Sequence, residues 1–163
     1  MGSSFFLNHD LTIGSGILSL GIPGVVIQDG RIVGRFKVQQ FEPYCEFFLN
    51  GRAKGDTIVS ADNFVVESVS TSRNFMRREA EPSVIAAAPG FRLAASDNSP
   101  GGFTITVIDY SLSSEFQGQN YRLTCRSVAD STAPRSFTVG EIRDTLGTVF
   151  SIQIAVNRSL EVQ

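Results

Sequence analysis

The sequence predicts a mainly β fold, an antiparallel β-sandwich or partly open barrel with one short C-terminal helix. Runs of alternating apolar and polar residues are separated by Asp-Gly and Asn-Gly turns. A helix-start signature occurs near the C-terminus, at Thr138. The two cysteines, Cys45 and Cys125, each fall on the apolar side of an alternating run. With 163 residues, 42% hydrophobic and 18% charged, the chain is long enough for one domain with its own core. Residues 1–21 read as a flexible or partner-docking lead-in, 22–156 as a single β domain and 157–163 as a tail.

The first hairpin joins residues 22–28 to 31–38 through Asp29-Gly30, a pair suited to a type I′ turn because both positions tolerate positive φ. In that register Ile27 faces Ile32, with Val25, Phe36 and Val38 continuing the same face. Residues 41–49 alternate, so that Phe41, Pro43, Cys45, Phe47 and Leu49 point one way and Glu42, Tyr44, Glu46 and Phe48 the other. Asn50-Gly51 makes the next turn, and residues 57–71 supply one or two strands around 63–69. From 72 to 102 the pattern loosens into a long connection, with short edge strands expected at 84–87 and 91–95 flanking Pro89-Gly90.

Strand character returns at 103–112 and again at 121–128, where Tyr121, Leu123, Cys125 and Ser127 face inward and Arg122, Thr124 and Arg126 face water. Thr138-Val-Gly-Glu141 is a capping box, with Phe137 and Ile142 placed for a hydrophobic staple and Gly147 for the helix stop. Val139, Ile142 and Leu146 form the expected buried stripe. Residues 148–156 read as a last strand.

Two inward cysteines on separate strands can meet across a sandwich or between neighbouring strands, and a Cys45–Cys125 disulfide is the expectation, against the alternative of two buried thiols in a reducing compartment. With His9 the only histidine and distant, a zinc shell lacks ligands, and no metal or cofactor is expected.

Gln40-Phe-Glu-Pro-Tyr-Cys-Glu-Phe47, Tyr121-Arg-Leu-Thr-Cys-Arg126 and Glu141-Ile-Arg-Asp-Thr-Leu-Gly147 together resemble a group of small, uncharacterised proteobacterial envelope proteins, often lipoproteins. The likeness runs in scattered motifs from about residue 22 to 146. It implies export to the periplasm or cell envelope and a bridge between Cys45 and Cys125, and it brings no catalytic or ligand residues. The opening Met1-Gly2-Ser3-Ser4 has neither a basic region nor a continuous apolar run, so it does not read as a secretory signal.

Function classes narrow by chemistry. A net charge of −2 with scattered basic residues gives no stripe for nucleic acid. No window approaches the roughly 18 apolar residues of a helical membrane span. His9 sits in a polar segment and reads as a surface residue, and the chain carries no nucleophile elbow, Cys-x-x-Cys or phosphate loop. Gly14-Ser-Gly16 has the wrong spacing for a dinucleotide turn. Carboxylate pairs, Glu42 with Glu46 or Asp109 with Glu115, leave a polysaccharide hydrolase as a third option, and a Phe-lined barrel binding a small apolar ligand as a second.

The favoured expectation is a non-catalytic envelope subunit or accessory protein that contacts other envelope proteins or copies of itself. Its candidate contact residues are the aromatics Tyr44, Phe48 and Phe75 and the terminal triplet Phe5, Phe6 and Leu7. That triplet either packs back on its own domain or enters a neighbouring subunit as an added strand.

Overall fold

The computed structural model describes residues 2–14, 22–51, 55–77, 101–130 and 136–155. It is mainly β, with a curled antiparallel half-barrel of eight strands and one short helix. The strands are β1 (Ser4–Leu7), β2 (Leu11–Ile13), β3 (Gly24–Gln28), β4 (Arg31–Val33), β5 (Tyr44–Leu49), β6 (Thr57–Val59), β7 (Asn63–Arg77), β8 (Gly102–Ser114), β9 (Asn120–Asp130) and β10 (Phe150–Gln153), with the helix α1 at Val139–Leu146. The main sheet runs β10-β1-β7-β8-β9-β5-β3-β4, and β2 pairs with β6 in a separate ribbon. Of the two expected architectures, the partly open barrel is therefore the one formed.

The predicted hairpin forms as a type I′ turn, with φ of 51° at Asp29 and 70° at Gly30, and Ile27 lies opposite Ile32. Gly30 also meets the end of α1: its N–H donates to the Thr145 carbonyl at 2.9 Å, and a Cβ on Gly147 would lie 2.3 Å from the Gly30 Cα. Gly147 is at φ 49° and its N–H donates to the Arg143 carbonyl. Positive φ and close backbone approach both require glycine there. At the other end of α1 both halves of the capping box are made between Thr138 and Glu141.

Pairing places Cys45 directly opposite Cys125, and the two form a disulfide between neighbouring strands, both fully buried. On the same concave face Phe47 stacks on Tyr121 at 5.5 Å, while Phe64 and Phe150 meet this pair edge-on. Helix α1 packs against β3, β5 and β10 through Ile142, Thr145 and Leu146, and Leu11, Ile13 and Val59 of the small ribbon join the same core.

Several expectations are corrected. Residues 4–7 are not a lead-in: β1 lies inside the sheet between β10 and β7, and Phe5 and Leu7 belong to the core. The triplet thus packs on its own domain, because an apolar segment with free backbone groups gains most where both edges are paired. The second arm of the first hairpin stops at Val33; residues 35–37 form a 3-10 turn that leaves Phe36 fully exposed. Phe41 precedes β5 and is exposed, and Val139 lies beside the buried stripe of α1, its place there taken by Thr145. Thr124 is buried instead of facing water. β7 continues through Arg77, so strand structure covers the start of the expected 72–102 connection. The edge strands expected at 84–87 and 91–95, and the tail at 157–163, lie outside the described residues.

Two stability measurements check this architecture. Opening the disulfide, which closes a loop of 80 residues, should cost about 2–5 kcal/mol in denaturant unfolding, and Cys45→Ala/Cys125→Ala should behave like the reduced protein. Gly147→Ala should lose at least about 1–3 kcal/mol through backbone strain and the clash with Gly30, whereas Gly51→Ala, in open space, should change stability little.

Candidate functional site

Strand alternation divides the central strands between two faces, and the convex face carries a polar and aromatic ladder. On β9, Arg122 lies opposite Phe48 and Arg126 opposite Tyr44, each guanidinium 5.8–5.9 Å from the ring centroid. Each arginine also reaches a carboxylate, Arg122 that of Asp109 at 3.0 Å and Arg126 that of Glu46 at 3.4 Å. Thr124 sits between them and donates its hydroxyl to Asp109. Tyr44 and Phe48 are thus half-buried members of a ladder, not isolated exposed anchors. Glu46 and Asp109 occupy registered positions on either side of Thr124, about 10 Å apart at the usual strand spacing. Each carboxylate is engaged by an arginine across the ladder.

Beyond Arg126 the face opens into a groove of about 450 Å³ lined by Phe41, Tyr44, Met76, Phe103, Ile105 and Val128, among others. Phe41 and Met76 are 69% and 56% exposed, and the Phe41 and Phe103 rings lie 5.3 Å apart. The groove exists because β7, β8 and β9, of 15, 13 and 11 residues, outrun the strands beside them. β1 pairs with β7 only over Asn63–Val65, and the Val66 N–H donating to the Ser3 carbonyl is the last backbone link on that side. From 67 to 77 β7 has no further strand partner on that edge among the described residues. Three strands therefore project as an arm, with Phe75 on its concave face 63% exposed.

A second polar cluster lies at the opposite end of β8. The buried Asp62 carboxylate accepts from the Asn63 N–H at 2.7 Å, the Ser114 hydroxyl and the Gln117 amide, and Gln117 in turn accepts from the Tyr121 hydroxyl at 3.1 Å. Burial alone would raise the Asp62 carboxyl, but Ser114, the Asn63 N–H and Gln117 stabilise the anion and hold it below its ordinary 3.8. Burial, with the charge of Asp62, pushes the Tyr121 hydroxyl up. Ser114 donates its proton to Asp62 and its oxygen accepts from the Phe116 and Gln117 N–H groups, so the cluster fixes the β8–β9 turn.

Among the predicted contact residues the structure separates Phe5 and Leu7, in the core, from Phe6, 39% exposed on β1, and from Tyr44, Phe48 and Phe75 on the β5–β9–β8–β7 region. His9 is exposed between β1 and β2. Sequence reasoning missed Phe41, Met76, Phe103 and Arg126 as groove residues. The signal available was the apolar set Phe103, Ile105 and Val107 on the face opposite the core, whereas β7 beyond Val66 carries almost no apolar period. No protein-family model matches the chain, and neither a curated protein nor a solved structure matches it.

The acid cluster gives a pH test. A carboxyl lowered in the fold contributes its stability in full above the unfolded value and loses it as pH falls through the folded one. Thermal stability should therefore drop as the pH falls below about 4. Asp62→Asn should remove this component and cost about 1–3 kcal/mol at neutral pH, since the donors around it lose their anion.

Proposed function

We propose that the chain is a non-catalytic, exported subunit or accessory protein of the cell envelope, acting through protein–protein contact. The projecting β7–β9 arm carries this reading. It holds Phe75, Met76 and Val69 at 54–63% exposure and presents a backbone edge that no described strand covers. An exposed edge with apolar side chains on both faces is costly to leave in water and is the form of surface to which another chain adds a strand. The Cys45–Cys125 disulfide fits an oxidising compartment. Among the described residues no helix is long and apolar enough to cross a membrane. The resemblance to proteobacterial envelope proteins agrees with export.

The small-ligand reading has less behind it. The space between β5, β7 and β10 is filled by Phe47, Phe64, Tyr121 and Phe150 in mutual contact, and the groove beside Arg126 is an open one. For a hydrolase, the two registered carboxylates are each held by an arginine.

Site-specific photo-crosslinking in cells of the source organism tests the proposal. A photoreactive phenylalanine analogue at Phe75 or Phe41 should give discrete protein adducts, and the same group at the exposed Phe116, in the β8–β9 turn, should not. Equal labelling at all three positions, or none at the arm, would overturn it.

A further inference from the structure

We propose that two copies of the chain associate by antiparallel pairing of their β7 edges over residues 68–76, about a two-fold axis at Ser72; this rests on the arm being an interaction surface. The stretch Ser68-Val-Ser-Thr-Ser-Arg-Asn-Phe-Met76 contains no proline, no glycine and one charge, Arg73. It therefore carries few of the devices by which sheet edges ordinarily resist pairing, Arg73 being the one charge. The N-terminal end of β1 stops backbone pairing at Val66, which sets where an added strand can begin.

A two-fold axis perpendicular to the sheet pairs residues of equal parity, so few registers exist. Centring on Ser72 sets Val69 opposite Phe75 of the second copy, Ser70 opposite Asn74 and Thr71 opposite Arg73. Just beyond the paired stretch, Glu67 of each copy flanks Arg77 of the other, giving opposite charges at both ends. Moving the axis to Thr71 sets Val69 against Arg73 and Glu67 against Phe75. Moving it to Arg73 sets two guanidinium groups face to face. Only the Ser72 register matches the apolar pair and the charge pair together, and it leaves the two Arg73 side chains diagonal to each other.

The concave face supplies a receptor for the apolar pair. Val69, Val66, Tyr110, Phe5, Ile152 and Ile154 help line a recess of about 220 Å³ beside this edge. Val69 and Phe75 both lie on that face, at positions registered with Tyr110 and Thr104. Phe75 of the second copy, opposite Val69, thus stands at the mouth of the recess. The same edge would otherwise leave Val69 and Phe75, 54% and 63% exposed, in water.

Cysteine trapping and charge exchange test the register. Ser72→Cys lies on the axis and should form a symmetric inter-chain disulfide under mild oxidation, while Ser70→Cys alone should not and Ser70→Cys/Asn74→Cys should. In sedimentation of the full chain, Glu67→Arg and Arg77→Glu should each weaken self-association about tenfold, and the double exchange should restore it. An unchanged circular dichroism spectrum and an intact Cys45–Cys125 bridge exclude misfolding as the cause. A monomer at all concentrations with no Ser72→Cys dimer overturns the inference. If the Phe75 photoprobe then still captures a different protein, the interaction reading stands and only the self-pairing fails; with no adduct at all, both fail.

Discussion

The register between β5 and β9 is the constraint on which the rest of the structure depends. Cys45 lies opposite Cys125, and from that pair outward every second residue is committed to one side: Phe47, Leu49, Leu123 and Tyr121 to the core, Tyr44, Glu46, Phe48, Arg122 and Arg126 to the convex face. A slip of β9 by one residue would send Arg122 and Arg126 inward and Tyr121, Leu123 and Cys125 outward. The covalent link and the stacked Phe47–Tyr121 pair favour the same register. The charged ladder outside adds less energy than the core but disfavours the slipped alternative, since its ion pairs and cation–π contacts exist only in this alignment.

Closure of the fold depends on chain segments distant in sequence. β1 enters between β7 and β10, so the first and last described strands are paired neighbours, and Asn8 ties to Thr148 and Ser151 through its side chain. The concave side of one curled sheet is then covered by α1 and by the small β2–β6 ribbon instead of by a second large sheet. That cover is short. An eight-residue helix and two three-residue strands span one end of the half-barrel, where Phe47, Phe64 and Phe150 are fully buried.

Much of this was legible in the sequence where a residue type leaves little choice. Asp29-Gly30 admits a type I′ turn, Thr138 with Glu141 admits a capped helix start, and the alternation around Cys45 and Cys125 points both inward. Legibility failed where the chain's environment decides. Phe5 and Leu7 carry no local mark of being in the middle of a sheet, because the partners that pair them, Phe64 and Phe150, are remote in sequence. Residues 68–74 are rich in serine and threonine with a single valine, so they show almost no apolar period, yet β8 holds them as strand through backbone bonds. Among the candidate contacts Tyr44, Phe48 and Phe75 were identified by type, but the groove that gives three of their neighbours a common wall requires strands that meet only in the fold.

The arm follows from the mismatch between strand length and core length. At about 3.3 Å per residue β7 extends roughly 50 Å, and its burial ends at Val66, near the bulge where pairing with β8 shifts between Val66 and Ser68. Up to that bulge β7 is a core strand flanked on both sides; beyond it, β8 is its one strand partner among the described residues, and its side chains are exposed. Backbone pairing in an isolated hairpin is marginal by itself, and the arm is held by its continuity with the disulfide-linked body through β9, where Thr106 and Ser127 are buried. Selection for folding alone would favour ending these strands at the core boundary. Their continuation, with Phe75, Met76 and Phe103 near the far end and a low-charge edge between, is the physical ground of the proposal that the arm is an interaction surface.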